Sequence, residues 1–326
     1  MEAVVNGLFM PFADMADDPV FFLEVIVYGL MAGVMYSLVA LGFVLIFKAS
    51  GVFNFAQGVM VLFAALTLVG FEEIFGSLSL GGIPPMVPSL VVTVAVMVAL
   101  AFAIERLVLR PLVNQPDIIL FMSTIGITFF LEGFGELIWG GDVKPMPIEQ
   151  LGVSSGRYTI DLGDGQILIQ HLELTAAVVA GVLVAVLAVF FQKTRIGRAL
   201  RAVADDHQAA LSVGIPLKHI WVIVWSVAGV VALAAGVMWG ANSGVQFSLS
   251  LIALRALPVL ILGGFTSVPG AIVGGLIIGV GEKIAETYWS PYIGSAIENW
   301  FAYMLALVFL LFRPQGLFGE RIIERV

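Results

Sequence analysis

The sequence has no cysteine, so it can form no disulfide and offers no thiolate to a metal. Charge is scarce too. Only 12% of the residues are Asp, Glu, Lys or Arg and 60% are hydrophobic, against roughly 25% charged and 45–50% apolar in a soluble domain. A water-soluble globule cannot hide that much apolar surface, which leaves an all-α polytopic membrane protein as the expected class. No basic residue precedes the first apolar run, which follows Glu2, Asp14, Asp17 and Asp18. That is the wrong charge for a secretory signal peptide, so the first span is expected to stay in the mature chain. Also missing are the phosphate loop G-x-x-x-x-G-K-[ST], the zinc motif H-E-x-x-H and the nucleophile elbow G-x-S-x-G. His171, His207 and His219 have no metal-like partner at helical spacing. These absences point away from an enzyme and from a cofactor or metal held by this chain. The net charge of −8 argues against a nucleic-acid partner, although in a membrane protein the distribution of charge between loops matters more.

What the chain has in abundance is apolar runs. At about 20 residues per crossing, its 326 residues suffice for a bundle of about eight to ten helices in a single membrane domain covering 1–326. Candidate spans run from Val20 to Phe47, Val52 to Phe71, Met86 to Ile104, Ile118 to Trp139, Leu172 to Phe191 and Ile220 to Gly240. Two short glycine-rich pieces, Leu249 to Gly264 and Val268 to Gly281, read either as tilted helices or as a re-entrant hairpin, and Ile293 to Phe312 closes the series. Glycines recur at four-residue spacing in Gly29/Gly33, Gly270/Gly274 and Gly275/Gly279, which predicts close helix packing. Gly51-Val52-Phe53-Asn54-Phe55 and Gly244-Val245-Gln246-Phe247 each follow a long apolar run, a faint internal repetition of the kind from which many transporters are built.

Basic loops are retained in the cytoplasm, and the richest is 192–219, with Lys193, Arg195, Arg198, Arg201 and Lys218. Alternating outward from it also assigns Lys48, Arg106/Arg110 and the tail with Arg313 to the cytoplasm, with the N-terminus, Glu72-Glu73 and a periplasmic loop at 140–171 outside. Nine spans, N-terminus out and C-terminus in, satisfy these placements. In the outer loop, two alternating stretches flank Gly163-Asp164-Gly165, which predicts a short extracytoplasmic β-hairpin. It reads either as a lid over helix ends or as a docking surface.

Polar residues inside the bilayer cost roughly 2.5–3.5 kcal/mol when charged and tend to be functional. Asn54 and Gln57, one turn apart at the start of a span, are candidates for the lining of a translocation path, and equally for an interhelical hydrogen bond or a helix cap. Ser123 and Thr124 could bond a polar solute or the preceding turn. Arg255 interrupts an apolar run beside Pro258 and could face an aqueous cavity, pair with a carboxylate or snorkel outward. Glu132 and Glu136, at helical spacing, keep open a second reading, an ion-coupled secondary transporter that works without partners.

The basic loop carries the strongest signal. An amphipathic segment beginning Thr194-Arg195-Ile196-Gly197-Arg198 leads into Gln208-Ala209-Ala210-Leu211-Ser212-Val213-Gly214, a short small-residue helix ended by Gly214 with Pro216 beyond. Small residues let another protein approach closely. This stretch resembles the E-A-A-x-x-x-G coupling loop of the membrane subunits of ATP-binding-cassette importers, with Gln208 in place of glutamate. Further stretches resemble the branched-chain amino acid permeases of the LivH type: Gly29 to Leu38, Gly51 to Gly58 (with Gln57 where the family usually has histidine), Glu105-Arg106 with Arg110-Pro111-Leu112, and Ser123 to Gly126. Leu262-Gly263-Gly264 through Ala271 and Arg313-Pro314-Gln315-Gly316-Leu317-Phe318 extend the likeness over nearly the whole chain. The resemblance implies ATPase coupling through Arg198, Gln208, Ala209, Ala210 and Gly214. It also implies a set of partners: a LivM-like second permease, two LivF/LivG-like ATPase subunits that bind the ATP and Mg, and a periplasmic solute-binding protein. Membrane lipid surrounds the assembly, which sits in the bacterial inner membrane. Relatives carry branched-chain amino acids, urea, short amides or aromatic acids.

Overall fold

The computed structural model describes residues 2–78, 82–112, 115–154, 156–161, 166–205, 212, 214, 217–294 and 297–319. Its helices are α1 (Glu2–Asp17), α2 (Pro19–Ser50), α3 (Gln57–Ser77), α4 (Met86–Ile104), α5 (Asp117–Trp139), α6 (His171–Lys193), α7 (Arg195–Asp205), α8 (Leu217–Ser243), α9 (Ile252–Gly263), α10 (Val268–Ile293) and α11 (Glu298–Phe312). Among the described residues, seven helices are long and apolar enough to cross a membrane: α2, α3, α4 with its continuation to Leu112, α5, α6, α8 and α10. Phe247–Gly263 and Trp300–Phe312 are shorter apolar helices. The expected eight to ten spans are reached when these two also count.

Three boundaries differ from the sequence reading. The acidic N-terminus is itself a helix, α1, which packs on α10 through an edge-to-face contact of Phe12 with Trp289 at 5.4 Å. The second apolar run does not start a helix at Val52. Gly51 ends α2 in the left-handed conformation (φ 70°), and α3 begins only at Gln57. The run beginning at Val268 does not stop at Gly281 but continues to Ile293, about 39 Å of helix at 1.5 Å per residue. One of its charged residues is accommodated inside: Glu282 is buried and accepts a 2.7 Å hydrogen bond from the Tyr36 hydroxyl.

Between helices in lipid there is no hydrophobic driving force, so close backbone packing and polar contacts carry the association. The glycine pairs of α2 and α10 face each other. A Cβ on Gly29 would lie 2.5 Å from the Val280 Cα, and one on Gly279 would lie 2.5 Å from the Gly33 Cα. Ser37 adds a polar bolt: its hydroxyl donates to the Gly33 carbonyl at 2.7 Å and lies 3.1 Å from that of Ala271. Gly274 presses in the same way on α9, where an added Cβ would lie 3.1 Å from the Gly263 Cα.

Two four-helix units repeat one arrangement. α2 is followed by a non-helical segment and α3, and α8 by Gly244 (φ 77°), a 3-10 turn at Phe247–Leu251 and α9. α3 packs on α4 and α5, and α9 packs on α10 and α11. α4 lies on α8, α10 lies on α2, and α2 and α8 touch each other. Four crossings, α3, α4, α5 and α6, lie between α2 and α8, so the two units run in opposite directions. The two segments marked by the faint sequence repeat occupy corresponding places in them. The helices that follow them meet, because a Cβ on Gly58 of α3 would lie 2.6 Å from that of Ala253 in α9.

The β-hairpin pairs Arg157–Asp161 (β1) with Gln166–Gln170 (β2), antiparallel, Arg157 opposite Gln170 and Asp161 opposite Gln166; its turn at 162–165 lies outside the described residues. β2 packs on α2 with Ile167 buried, while β1 is exposed along its length. One strand thus covers a helix end, as a lid would, and the other leaves a free surface.

Gly279→Leu should force α2 and α10 apart at a cost of about 1–3 kcal/mol or more. Thermal unfolding of the detergent-solubilised chain should therefore shift clearly downward. Gly126→Ala, with nothing within 4 Å of the added methyl, should leave it unchanged or raise it. An equal response of the two variants would contradict the packing account.

Candidate functional site

The bundle has two chemically distinct ends. At one, Glu73 receives a 2.7 Å ion pair from Lys144, Glu72 accepts from the Gln150 amide at 2.7 Å, and Lys144 exchanges backbone hydrogen bonds of 3.0 and 2.8 Å with Val245. All belong to segments the charge pattern groups on one side. A cavity of about 380 Å³ opens here, enclosed by the first half of α2, the start of α6, the ends of α8 and α10, and α9.

Polar groups converge on this cavity: Tyr28, Tyr36, Glu173, Asn242, Arg255 and Lys283. Tyr36 is held tightly. Its ring stacks on Trp239 at 5.7 Å, whose indole N–H donates to the Met35 carbonyl at 3.1 Å. Its hydroxyl donates to Glu282 and is also a hydrogen-bond partner of Arg255. The chain Glu282–Tyr36–Arg255 therefore fixes the guanidinium at the cavity wall. Lys283 pairs with Glu286 at 2.7 Å, one turn along α10. Of the residues the sequence proposes for a translocation path, Arg255 alone lines this space.

The other four lie elsewhere. Asn54 is fully buried, its side-chain oxygen accepting from the Ala56 N–H at 3.1 Å in the turn that opens α3. The Thr124 hydroxyl accepts from the Phe55 N–H at 3.0 Å and donates to the Phe121 carbonyl at 2.8 Å, tying α5 to that turn. Ser123 donates to the Leu120 carbonyl at 2.6 Å, a bond within its own helix. Gln57 is different: it is fully buried against Gly42, and neither its amide nitrogen nor its oxygen has a hydrogen-bond partner. Such an unsatisfied amide costs about 1–3 kcal/mol. Phe43, Phe53, Phe121 and Phe265 pack around the α2–α3 turn with ring centroids 5.1 to 6.4 Å apart, holding it in place.

The opposite end gathers Lys48, Gln192, Arg201, Thr266 and Phe318 around a second cavity of about 300 Å³. Helix α7 sits there with Gly197, Leu200 and Val203 turned inward and Arg195, Arg198 and Arg201 exposed. Arg198 donates to the Lys193 carbonyl at 3.4 Å. Gln208, Ala209 and Ala210 lie outside the described residues, and Gly214 has φ 84°, the left-handed conformation of a helix-ending glycine. The tail motif closes this end. The Leu317 and Phe318 N–H groups donate to the Leu262 and Gly263 carbonyls at 2.8 and 3.2 Å, so the tail satisfies the end of α9. Glu105, buried where α4 loosens into a π-turn, pairs with Arg110 at 3.3 Å.

Sequence reasoning passed over Glu173, Asn242 and Lys283. Glu173 and Lys283 stand at a span start and just past a presumed span end, where charge is ordinary, so only the folded arrangement marks them.

Comparison with known proteins places this geometry. Residues 25–313 match the family described as the permease component of the branched-chain amino acid transport system. The chain is 29% identical to the high-affinity branched-chain amino acid transport system permease protein BraD of Pseudomonas aeruginosa, over 94% of this chain and 98% of that one. It is 26% identical to LivH of Escherichia coli strain K12, over 96% and 100%. With the fructose import permease protein FruG of Bifidobacterium longum it shares 22% over 67% and 65%. No solved structure matches it significantly. A family of permease components of ATP-binding-cassette systems excludes the second reading, a secondary transporter acting alone, and the chain is a multi-pass membrane protein of transport rather than of catalysis. From the likeness that spans both units of the fold and both ends of the bundle, the chain belongs to the branched-chain amino acid transport system permease component family.

Proposed function

We propose that this chain, as one membrane domain over its full length, pairs with a second, LivM-like permease in the bacterial inner membrane to form the translocation path of an ATP-driven importer. The solute is a branched-chain amino acid or a related small polar molecule, as the names of BraD and LivH suggest. The observation that carries the reading is the separation of two chemistries. A polar cavity opens at one end of the bundle, and the basic helix α7 stands at the other. A pump needs this division, a mouth for the solute on one side and a seat for its engine on the other.

The basic end faces the cytoplasm, with the C-terminus, and the cavity, the β-hairpin and the N-terminus face outside. Two LivF/LivG-like ATPases bind the ATP and Mg, and a periplasmic binding protein delivers solute to the outer end. The ATPase-coupling residues are Arg198, Gln208, Ala209, Ala210 and Gly214. Within the membrane, Arg255 belongs to the path at the outer mouth, and Gln57, the buried amide without a partner, to its deeper part near the junction of the two units. Asn54, Ser123 and Thr124 shape that junction around Gln57. Inverted repeats with interrupted helices place solute sites at such junctions in other transporter folds.

Replacing both Ala209 and Ala210 with tryptophan should reduce ATPase co-purification, or solute-stimulated ATP hydrolysis, about tenfold or more. Wild-type coupling in that variant would remove the seat from this loop. The cysteine-free sequence makes orientation directly testable: Thr159→Cys should react with a membrane-impermeant maleimide in intact cells, and Lys193→Cys only after permeabilisation. The reverse pattern would invert the topology.

A further inference from the structure

The cavity at the basic end joins side chains that the transport reading leaves without a role. Its volume is about 300 Å³, at the bottom of the range of small-molecule sites, and no carboxylate lines it. Two cations reach it from separate elements, Lys48 in the last turn of α2 and Arg201 on α7. Among the described residues neither forms an ion pair. Thr266 and Ser267 add hydroxyls; the Ser267 oxygen accepts from the Gly270 N–H at 3.1 Å, which leaves its own O–H to donate. Another wall is apolar, where the half-buried Val184, Ala188 and Phe191 are spaced as one stripe of α6. Depth follows from length. With 23 residues α6 is about 35 Å long, slightly more than the roughly 30 Å hydrocarbon core, so its last turn stands at headgroup level. The charges therefore lie where lipid phosphates lie, and the stripe runs from them into the hydrocarbon.

We propose that this cavity is a site for an anionic phospholipid of the cytoplasmic leaflet, its phosphodiester held by Lys48, Arg201 and the two hydroxyls, and one acyl chain lying along the α6 stripe. Two cations and two hydroxyls match an acceptor-rich phosphate, and the absence of a lining carboxylate leaves nothing to pair an ammonium. A headgroup whose only charge is its phosphate fits, whereas a choline headgroup brings a cation towards Lys48 and Arg201. Basic pockets at the cytoplasmic ends of membrane helices hold anionic headgroups by this chemistry. Bound there, the lipid ties α2, α6, α7 and the α9–α10 turn together and braces α7 against the bundle. The site concerns the membrane rather than the solute, so it stands or falls independently of what the chain conducts. Only the choice of leaflet rests on the orientation proposed above.

The test titrates the full chain in detergent with dioleoyl phosphatidylglycerol or dioleoyl phosphatidylcholine, which share their acyl chains, and reads bound lipid by native mass spectrometry. Phosphatidylglycerol should bind about tenfold or more tightly than phosphatidylcholine. Inorganic phosphate and glycerophosphoglycerol carry the anion without the chains and should not displace it at equal concentration; displacement by either would assign the cavity to a free anion and overturn the lipid. Lys48→Gln and Arg201→Gln should each weaken phosphatidylglycerol binding about fivefold, and together about thirtyfold. Arg195→Gln, which removes an exposed cation of α7 outside the cavity, should leave it nearly unchanged. Ala188→Trp fills the stripe with every charge in place and should weaken it too. The wild-type comparison stands even if a variant fails to fold. Equal binding of the two lipids, or equal losses in Arg195→Gln and Arg201→Gln, would overturn the proposal. Equal lipid binding together with a loss of ATPase co-purification in Lys48→Gln would overturn it in favour of a protein partner seated in the cavity.

Discussion

Where α2 crosses α10, four glycines bring two backbones into contact with no side chain between them. In water such a contact would be secondary to burial of apolar surface. In lipid, whose chains are as apolar as leucine, dense packing and buried polar bonds are what hold helices together. The contact fixes the register of α10 on α2. That register sets Glu282 against the Tyr36 hydroxyl, and Tyr36 in turn holds Arg255 and stacks on Trp239. The wall of the outer cavity is therefore a consequence of where two pairs of glycines meet, and the same contact lets α10 run on through charged residues to Ile293.

The opposed units extend this logic to the whole bundle. The α2–α10 packing has its counterpart in α8–α4, and the two helix-breaking glycines, Gly51 and Gly244, let non-helical backbone dip inward from opposite ends. Backbone freed from helical bonding must find partners in lipid. Asn54 and Thr124 serve the first segment, and the pairing of Val245 with Lys144 serves the second. At the far end, the tail's bonds to Leu262 and Gly263 bring together two motifs some fifty residues apart in sequence, so that the α9–α10 turn and the C-terminus form one surface beside α7.

Much of this is legible in the sequence because lipid imposes long apolar runs and glycine spacing directly. The spans, the hairpin, the amphipathic α7 and the pairing glycines can each be read from local pattern. The extent of α10 cannot. Glu282 and Lys283 look like the start of a loop until a tyrosine 246 residues away supplies the partner that lets the glutamate be buried. The start of α3 fails for a related reason, since the apolar residues from Val52 onward suit a helix and only the left-handed Gly51 and the asparagine turn prevent one. Arg255 can be picked out because a cation within an apolar run is costly wherever it lies. Glu173 cannot, because a carboxylate at the start of a span is ordinary until the fold closes a cavity over it.

The central claim, that this chain is the conduit of a pump whose engine lies elsewhere, is tested most directly by uptake into proteoliposomes. The chain would be reconstituted with its second permease, ATPases and binding protein, and radiolabelled amino acid uptake measured with ATP inside or with a proton or sodium gradient alone. Uptake that requires ATP and the full set of subunits, and that no ion gradient replaces, is the predicted result. Uptake by the chain alone, driven by an ion gradient, would contradict the account.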